Sequence, residues 1–316
     1  MKSHSLCQLA LLSLLVLFLS HGPLATAAEP AAIPATKPND APAAEPKPAA
    51  ANWLDDYGTA VRTAIAEKKM LLIYFEGPAG CTFCRRFEKQ ALTDAAVVAK
   101  LGDVVALHLP IDASITTGGK QVMLIHHPAF AEMQRCSGVA IMDLTDRESP
   151  HFHQVVSVLP FTRSRYSMTD RTSRKAMLTL LGLPAGTLTQ RTMIFAVRMH
   201  HEAPASAFGK FEPTLAKAAH DHSKHQADIT NQGHHNWESR FHQISAQLPS
   251  GHTAQEVVAE SWPGESLVDA AEDCVHSWRQ SSGHWGAVRS RQPLFGYDIK
   301  RGRNGIWYAT GIFGRR

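Results

Sequence analysis

Cys81-Thr82-Phe83-Cys84 follows an apolar run, Met70 to Phe75, and a turn of mostly small residues, Glu76-Gly77-Pro78-Ala79-Gly80. It leads into a stretch that reads as helix, Arg85 to Gln90. A buried strand that delivers two cysteines to the mouth of a helix constrains this chain more than any other feature. The placement has a chemical reason. Unpaired amides at a helix N-terminus stabilise a thiolate, which lowers the pKa of the first cysteine below about 8.5. The second cysteine lies one turn further on, where it can resolve a mixed disulfide. The other uses of such a pair are an inert disulfide and a metal site, and a second CxxC that would favour zinc is absent.

Lys2 and His4 precede an apolar run from Leu9 to Leu19, and Ala25-Thr26-Ala27 has the form of a cleavage site. Residues 1–27 therefore read as a signal peptide. The run is shorter than the roughly 20 residues a membrane span needs, and no later segment is long and apolar enough. The expected product is exported, to the periplasm, the cell envelope or the medium, with no stable membrane span. Residues 28–51, almost entirely Ala, Pro, Glu, Lys, Asn and Asp, cannot bury a core and read as a linker. About 265 residues remain, enough for two domains. A net charge of +4 with both signs interspersed offers no basic stripe for nucleic acid. Beyond the signal stand Cys81, Cys84, Cys136 and Cys274, too few for a disulfide framework. Cys136 and Cys274 read as buried or free thiols, or as a cross-domain pair.

Trp53, Tyr57, Val61 and Ile65 recur every four residues, which predicts a helix over 53–68. Strands are predicted at Met70–Phe75, Val104–Leu109 and Phe152–Pro160, with helices after the CxxC and over Ala95–Leu101. Helix, strand, CxxC, helix, strand in this order resembles the thioredoxin-like superfamily over residues 52–162. The resemblance implies a thiol–disulfide oxidoreductase in which Cys81 attacks and Cys84 resolves, acting on protein thiols or disulfides. It also implies a cis-proline loop opposite the dithiol. The best match is Cys136 to Asp143, with Val139 where the proline would stand. Gly80 replaces the usual Trp, and Thr82-Phe83 the usual Gly-Pro. Residues 163–190, with a helix at Arg174–Leu181 broken by Leu183-Pro184-Ala185-Gly186, are expected to connect the two domains.

Histidines crowd the second half, among them His220, His222, His225, His234, His235 and His284. Such a tract invites a metal, although any single one of them is more often a surface or structural residue. No HExxH zinc motif, GxSxG nucleophile turn or phosphate-cradling glycine loop occurs. The order of segments is more specific than the count of histidines. Leu215 to Ser223, Gly233 to Phe241, Thr253 to Ser261, Trp278-x-x-Ser281-x-Gly283-His284 and two terminal strands resemble the CAP superfamily in its bacterial SCP-like form, over residues 191–316. That resemblance implies an α-β-α sandwich with a cleft lined by His234 (His235 in the alternative register), Glu256 and His284. Glu260 is the candidate for a second acid. Imidazole and carboxylate suit a divalent metal such as zinc, or a histidine oriented as a base.

The expected fold class is thus α/β, a thioredoxin-like domain followed by an α-β-α sandwich of CAP type. The expected function is an exported thiol–disulfide oxidoreductase whose second domain has a binding role. The alternative is a non-catalytic envelope or secreted binding protein that takes a ligand or metal in the cleft and uses the CxxC as a staple. A hydrolase centred on His234, Glu256 and His284 is a third reading.

Overall fold

The computed structural model describes residues 52–163 and 170–316, so the expected signal peptide and linker lie outside the described residues. The chain enters through a two-residue strand β1 (Trp53–Leu54) and helix α1 (Tyr57–Glu67). Spacing alone predicts a helix starting at Trp53. Asp56 delays that start, because its extended backbone and its side chain, 2.7 Å from the amide of Thr59, cap the helix at Tyr57. Trp53 and Leu54 are left extended and pair with Ala106 and Leu107.

The first sheet adds β2 (Leu71–Glu76), β3 (Val105–Pro110), β6 (Gly138–Met142) and β7 (Val155–Pro160), in the order β1-β3-β2-β6-β7. The β1, β3 and β2 strands run parallel, while β6 and β7 are antiparallel additions. Between β2 and β3 lie α2 (Thr82–Phe87), a π-turn (Glu88–Leu92) and α3 (Ala95–Leu101). A hairpin, β4 (Ser114–Thr117) and β5 (Lys120–Met123), projects between β3 and β6. The near-continuous apolar run of β2 reflects burial on both faces. Leu72 and Tyr74 pack with Cys84 and Phe87, whereas Leu71, Ile73 and Phe75 pack with Ala60 and Ala64 of α1.

Helices α4 (Arg174–Leu181) and α5 (Leu188–Met199) follow. The second sheet comprises β8 (Lys210–Phe211), β9 (Thr253–Glu260), β10 (Leu294–Arg301) and β11 (Trp307–Arg315), ordered β8-β10-β11-β9. Helix α6 (Pro213–Ile229) covers one face, with Leu215 and Ala219 against Leu294 and Ile312. The other face, with Phe295, Tyr297 and Phe313, meets α5 and α8 (Leu267–Gln280). Helices α7 (Trp237–Gln247) and α9 (Ser282–Arg289) complete this half.

The two sheets share one core. A single buried cluster runs from Leu72, Cys84 and Phe87 through Met193, Ile194 and Val197 of α5 to Trp278, Tyr297 and Phe313. Of the segment expected to connect two domains, α4 adds Ala176, Met177 and Leu180 to this core, and α5 begins at its end. Arg191 is fully buried there, and its guanidinium donates to Ser157 Oγ (2.7 Å) and to the carbonyls of Leu183 and Pro184. Burial lowers its pKa to about 10, which leaves it charged at neutral pH. A second buried arginine, Arg171, pairs with Asp269 (2.6 Å) and Glu272 (3.1 Å) of α8. The fold is mixed α/β, and among the described residues no helix is long and apolar enough to cross a membrane.

Candidate functional site

Cys81 and Cys84 are joined in a disulfide, with Cα atoms 5.3 Å apart. Cys81 is the N-cap of α2, and its Sγ accepts the amide of Cys84 at 3.1 Å. Cys84 Sγ accepts the amide of Gly77 at 3.2 Å. The two sulfurs differ in access. Cys84 is 2% exposed among Leu72, Tyr74 and Phe87, whereas Cys81 is only half-buried and is the sulfur a partner can reach. A Cβ at Gly77 would fall 3.0 Å from Cys81 Sγ and 3.1 Å from Cys84 Sγ, so the close approach of this backbone to both sulfurs requires glycine.

The loop opposite the disulfide is set by three residues with positive φ. Gln134 (φ 54°) and Arg135 (φ 57°) turn the chain, and Gly138 (φ 151°) opens β6. A Cβ at Gly138 would meet the carbonyl oxygen of Leu159 at 2.3 Å. Between them, Ser137 places its Oγ 3.7 Å from Cys81 Sγ. The sequence expectation put Val139 opposite the dithiol. Val139 is instead wholly buried in the sheet, in register with Tyr74 and Leu159, and Ser137, two residues earlier, faces the sulfur. Cys136 and Cys274 are both free thiols and form no bond to each other. Burial pushes the Cys136 thiol up; burial, then the charge of Asp273, pushes the Cys274 thiol well up.

Beside the disulfide, Tyr74 donates to Glu88 Oε1 at 2.8 Å, and His108 stacks on its ring at 4.9 Å. Burial and Glu88 raise the phenol's pKa, so Tyr74 stays neutral. Glu76 pairs with His108 Nε2 at 2.9 Å.

In the second half, His234, Glu256 and His284 come together from three elements. Glu256 is on β9, His234 is in the turn before α7, and His284 is in the first turn of α9, whose cap Ser281 accepts its amide at 3.5 Å. They form a chain. Glu256 Oε1 is 2.9 Å from His234 Nδ1, and His234 Nε2 is 3.3 Å from His284 Nε2. Sequence reasoning missed the residue that holds this chain, Arg240 of α7. It donates to Glu256 Oε2 (2.5 Å) and Oε1 (2.9 Å), and to the carbonyl of His235 (3.0 Å). Nothing local in the sequence marks its role, because its partner Glu256 stands on a strand 16 residues further on. His222 also lies against this network, 3.7 Å from Glu256, with Nε2 on the carbonyl of Gly233 at 2.9 Å.

Charge in the cleft follows from these contacts. Burial would raise the pKa of Glu256, but hydrogen bonds from His234 and Arg240 and the charge of Arg240 outweigh it and hold the carboxyl below its usual range. Burial, then the charge of Arg240, takes His222 down to about 4, so it is neutral. Burial and the neighbouring His234 lower His284. Glu256, His234 and His284 thus stand in line, with the guanidinium of Arg240 behind the carboxylate.

His235, the alternative in register, turns away. Its Nε2 contacts the carbonyl of Asn231, and its ring packs near His222 and His225, lining a cavity of about 690 Å³ with Trp237 and Arg240. Glu260 is exposed at the last residue of β9. Among the described residues, no three His, Cys, Asp or Glu side chains form a group that could hold a metal ion. Glu256 stands behind His234, where a carboxylate orients a ligating imidazole, and only the two Nε2 atoms face each other. Their 3.3 Å separation matches the roughly 3.3 Å between two nitrogens bound tetrahedrally to zinc at about 2.0–2.1 Å. Two nitrogens are fewer than the three or four protein ligands a zinc site takes, so the residues present do not complete one.

No protein-family model matches the chain, and no curated protein matches it. Among solved structures the chain is similar to an outer surface protein from Borrelia burgdorferi, at 19% sequence identity over 34% of this chain and 77% of that one, with a TM-score of 0.28. A likeness at that level carries no argument for fold or function.

Proposed function

We propose that the protein is an exported thiol–disulfide oxidoreductase with a thioredoxin-like half, Cys81 being its attacking sulfur and Cys84 its resolving sulfur. The observation that carries this is the asymmetry of the pair. Cys81 is accessible at a helix N-terminus, while Cys84 is buried and bonded to the amide of Gly77. The strand order β1-β3-β2-β6-β7, with the pair leaving the C-terminal end of β2, supports the thioredoxin-like assignment. In the oxidised form a substrate thiolate attacks Cys81 Sγ, the Cys81–Cys84 bond breaks, and Cys84 leaves as a thiolate that takes up a proton. A second substrate thiol loses its proton and attacks the substrate sulfur of the mixed disulfide. Cys81 is then released as a thiolate, which the amide of Cys84 is placed to stabilise. Two electrons pass from the substrate dithiol to Cys81 and Cys84. Reduction of a substrate disulfide is the reverse sequence.

The test is disulfide exchange with insulin or a model peptide. Cys81→Ser is expected to abolish turnover, and Cys84→Ser to accumulate a mixed disulfide through Cys81. Wild-type protein without turnover under either redox poise would overturn the proposal.

The chain of Glu256, His234 and His284 favours a second reading, a non-catalytic binding protein whose CAP-like half takes a ligand or metal at these side chains. Zinc is expected to raise the melting temperature of the wild type and not that of His284→Ala; equal shifts in both would remove the cleft from consideration.

A further inference from the structure

We propose that Arg85 and Lys89, with Arg135 on the loop opposite the disulfide, form a docking surface for protein segments whose reacting cysteine is flanked by acidic residues. The inference rests on the thiol–disulfide function proposed above and names its partner class. Cys81, Arg85 and Lys89 follow one another at successive fours along α2 and the π-turn that continues it, and the amide of Arg85 bonds the carbonyl of Cys81. Residues four apart share a helix face, which places Arg85 on the side of α2 that Cys81 caps, with Lys89 in the π-turn that follows. Arg135 is two residues before Ser137, whose hydroxyl lies 3.7 Å from Cys81 Sγ.

Arg85, Lys89 and Arg135 are all exposed, and among the described residues none of them pairs with a carboxylate. The nearby acids are already engaged: Glu76 with His108, Glu88 with Tyr74, Asp94 with Arg174 and Asp170 with Arg86. Three unpaired cations thus stand on the two segments that meet at Cys81. Complementary charge steers encounter and fixes register, and the reach of these side chains is comparable to the Debye length of about 10 Å at 0.1 M salt.

The experiment compares three peptides of one length whose cysteine pair is flanked by Asp/Glu, by Ser/Gly or by Lys. Exchange rates are measured with the full chain at about 20 and 500 mM salt. In parallel, binding of the same peptides with Ser in place of Cys is read by fluorescence anisotropy. At low salt the acidic peptide is expected to react about tenfold or more faster than the basic one, with the difference collapsing at high salt. The triple variant Arg85→Glu/Lys89→Glu/Arg135→Glu is expected to reverse the order. Equal rates at low salt, or an order unchanged in the triple variant, would overturn the docking surface while leaving the exchange function intact. If no peptide exchanges but the acidic Ser peptide binds in a salt-dependent, charge-ordered way, the surface stands and the exchange function fails. Absence of both exchange and binding overturns both.

Discussion

Ser137 Oγ lies 3.7 Å from Cys81 Sγ, and the amide of Cys84 donates to the same sulfur at 3.1 Å. Two polar groups therefore meet the one sulfur that a partner can reach. In the reduced protein both would favour the thiolate. Ser137→Ala removes one of them and is expected to raise the Cys81 thiol pKa. The pH dependence of its alkylation by iodoacetamide measures this. An unchanged profile would mean that the hydroxyl does not act on the sulfur.

Gly138 holds Ser137 in place. Its φ of 151° and the 2.3 Å that would separate an added Cβ from the carbonyl oxygen of Leu159 leave no room for any side chain. Gly138→Ala is expected to cost about 3 kcal/mol or more, because either the β6–β7 pairing or the loop must shift. Urea unfolding of the variant checks this, and a loss below about 1 kcal/mol would contradict it.

Arg240 and Glu256 set the stability of the cleft. The carboxylate is fully buried, and both of its oxygens accept from this guanidinium. Removing one partner of such a pair costs far more than removing both. Arg240→Ala is expected to lose about 3–5 kcal/mol, and adding Glu256→Gln to recover part of that loss. A double variant as unstable as the sum of the single ones would show that the pair is not coupled.

Acid should unfold this protein through its buried histidines. Burial lowers His222 and His200 to about 4 from 6.5, and the Nε2 of His200 has no partner among the described residues. Both are neutral in the fold, so the unfolded chain binds more protons between about pH 6.5 and 4. Their contribution is complete above about pH 6.5 and is lost as pH falls toward 4, up to roughly 3 kcal/mol for each. Glu256, whose pKa is also lowered, adds a further loss below its usual value of 4.5. Chemical unfolding at pH 7 and pH 4.5 is expected to differ by at least about 3 kcal/mol. Equal stability at the two values would contradict the burial of neutral imidazoles.

The legible parts of this chain are those fixed by short-range chemistry. The apolar run of β2, the CxxC at the mouth of α2, and helices α3 and α4 are all readable, because period, capping and cysteine spacing are local properties. The order of segments nominates His234, Glu256 and His284, and the structure brings their side chains into one chain of contacts. What is not legible depends on partners distant in sequence. Ser137 is opposite Cys81 only because Gly138 starts the strand, which moves the register two residues from Val139. Arg240 carries no local mark of its role, which depends on β9 bringing Glu256 within reach. The shared core through α5 is hidden for the same reason, since helical spacing does not reveal that both faces of a helix are covered.

The reduction potential of the Cys81–Cys84 pair tests the exchange function most directly. Purified protein is equilibrated in glutathione or dithiothreitol buffers and its alkylated thiols are counted by mass. A potential between about −120 and −270 mV, the range of working exchangers, is the expected result. A disulfide that resists reduction until below about −300 mV would mark a structural staple and contradict a catalytic role for Cys81.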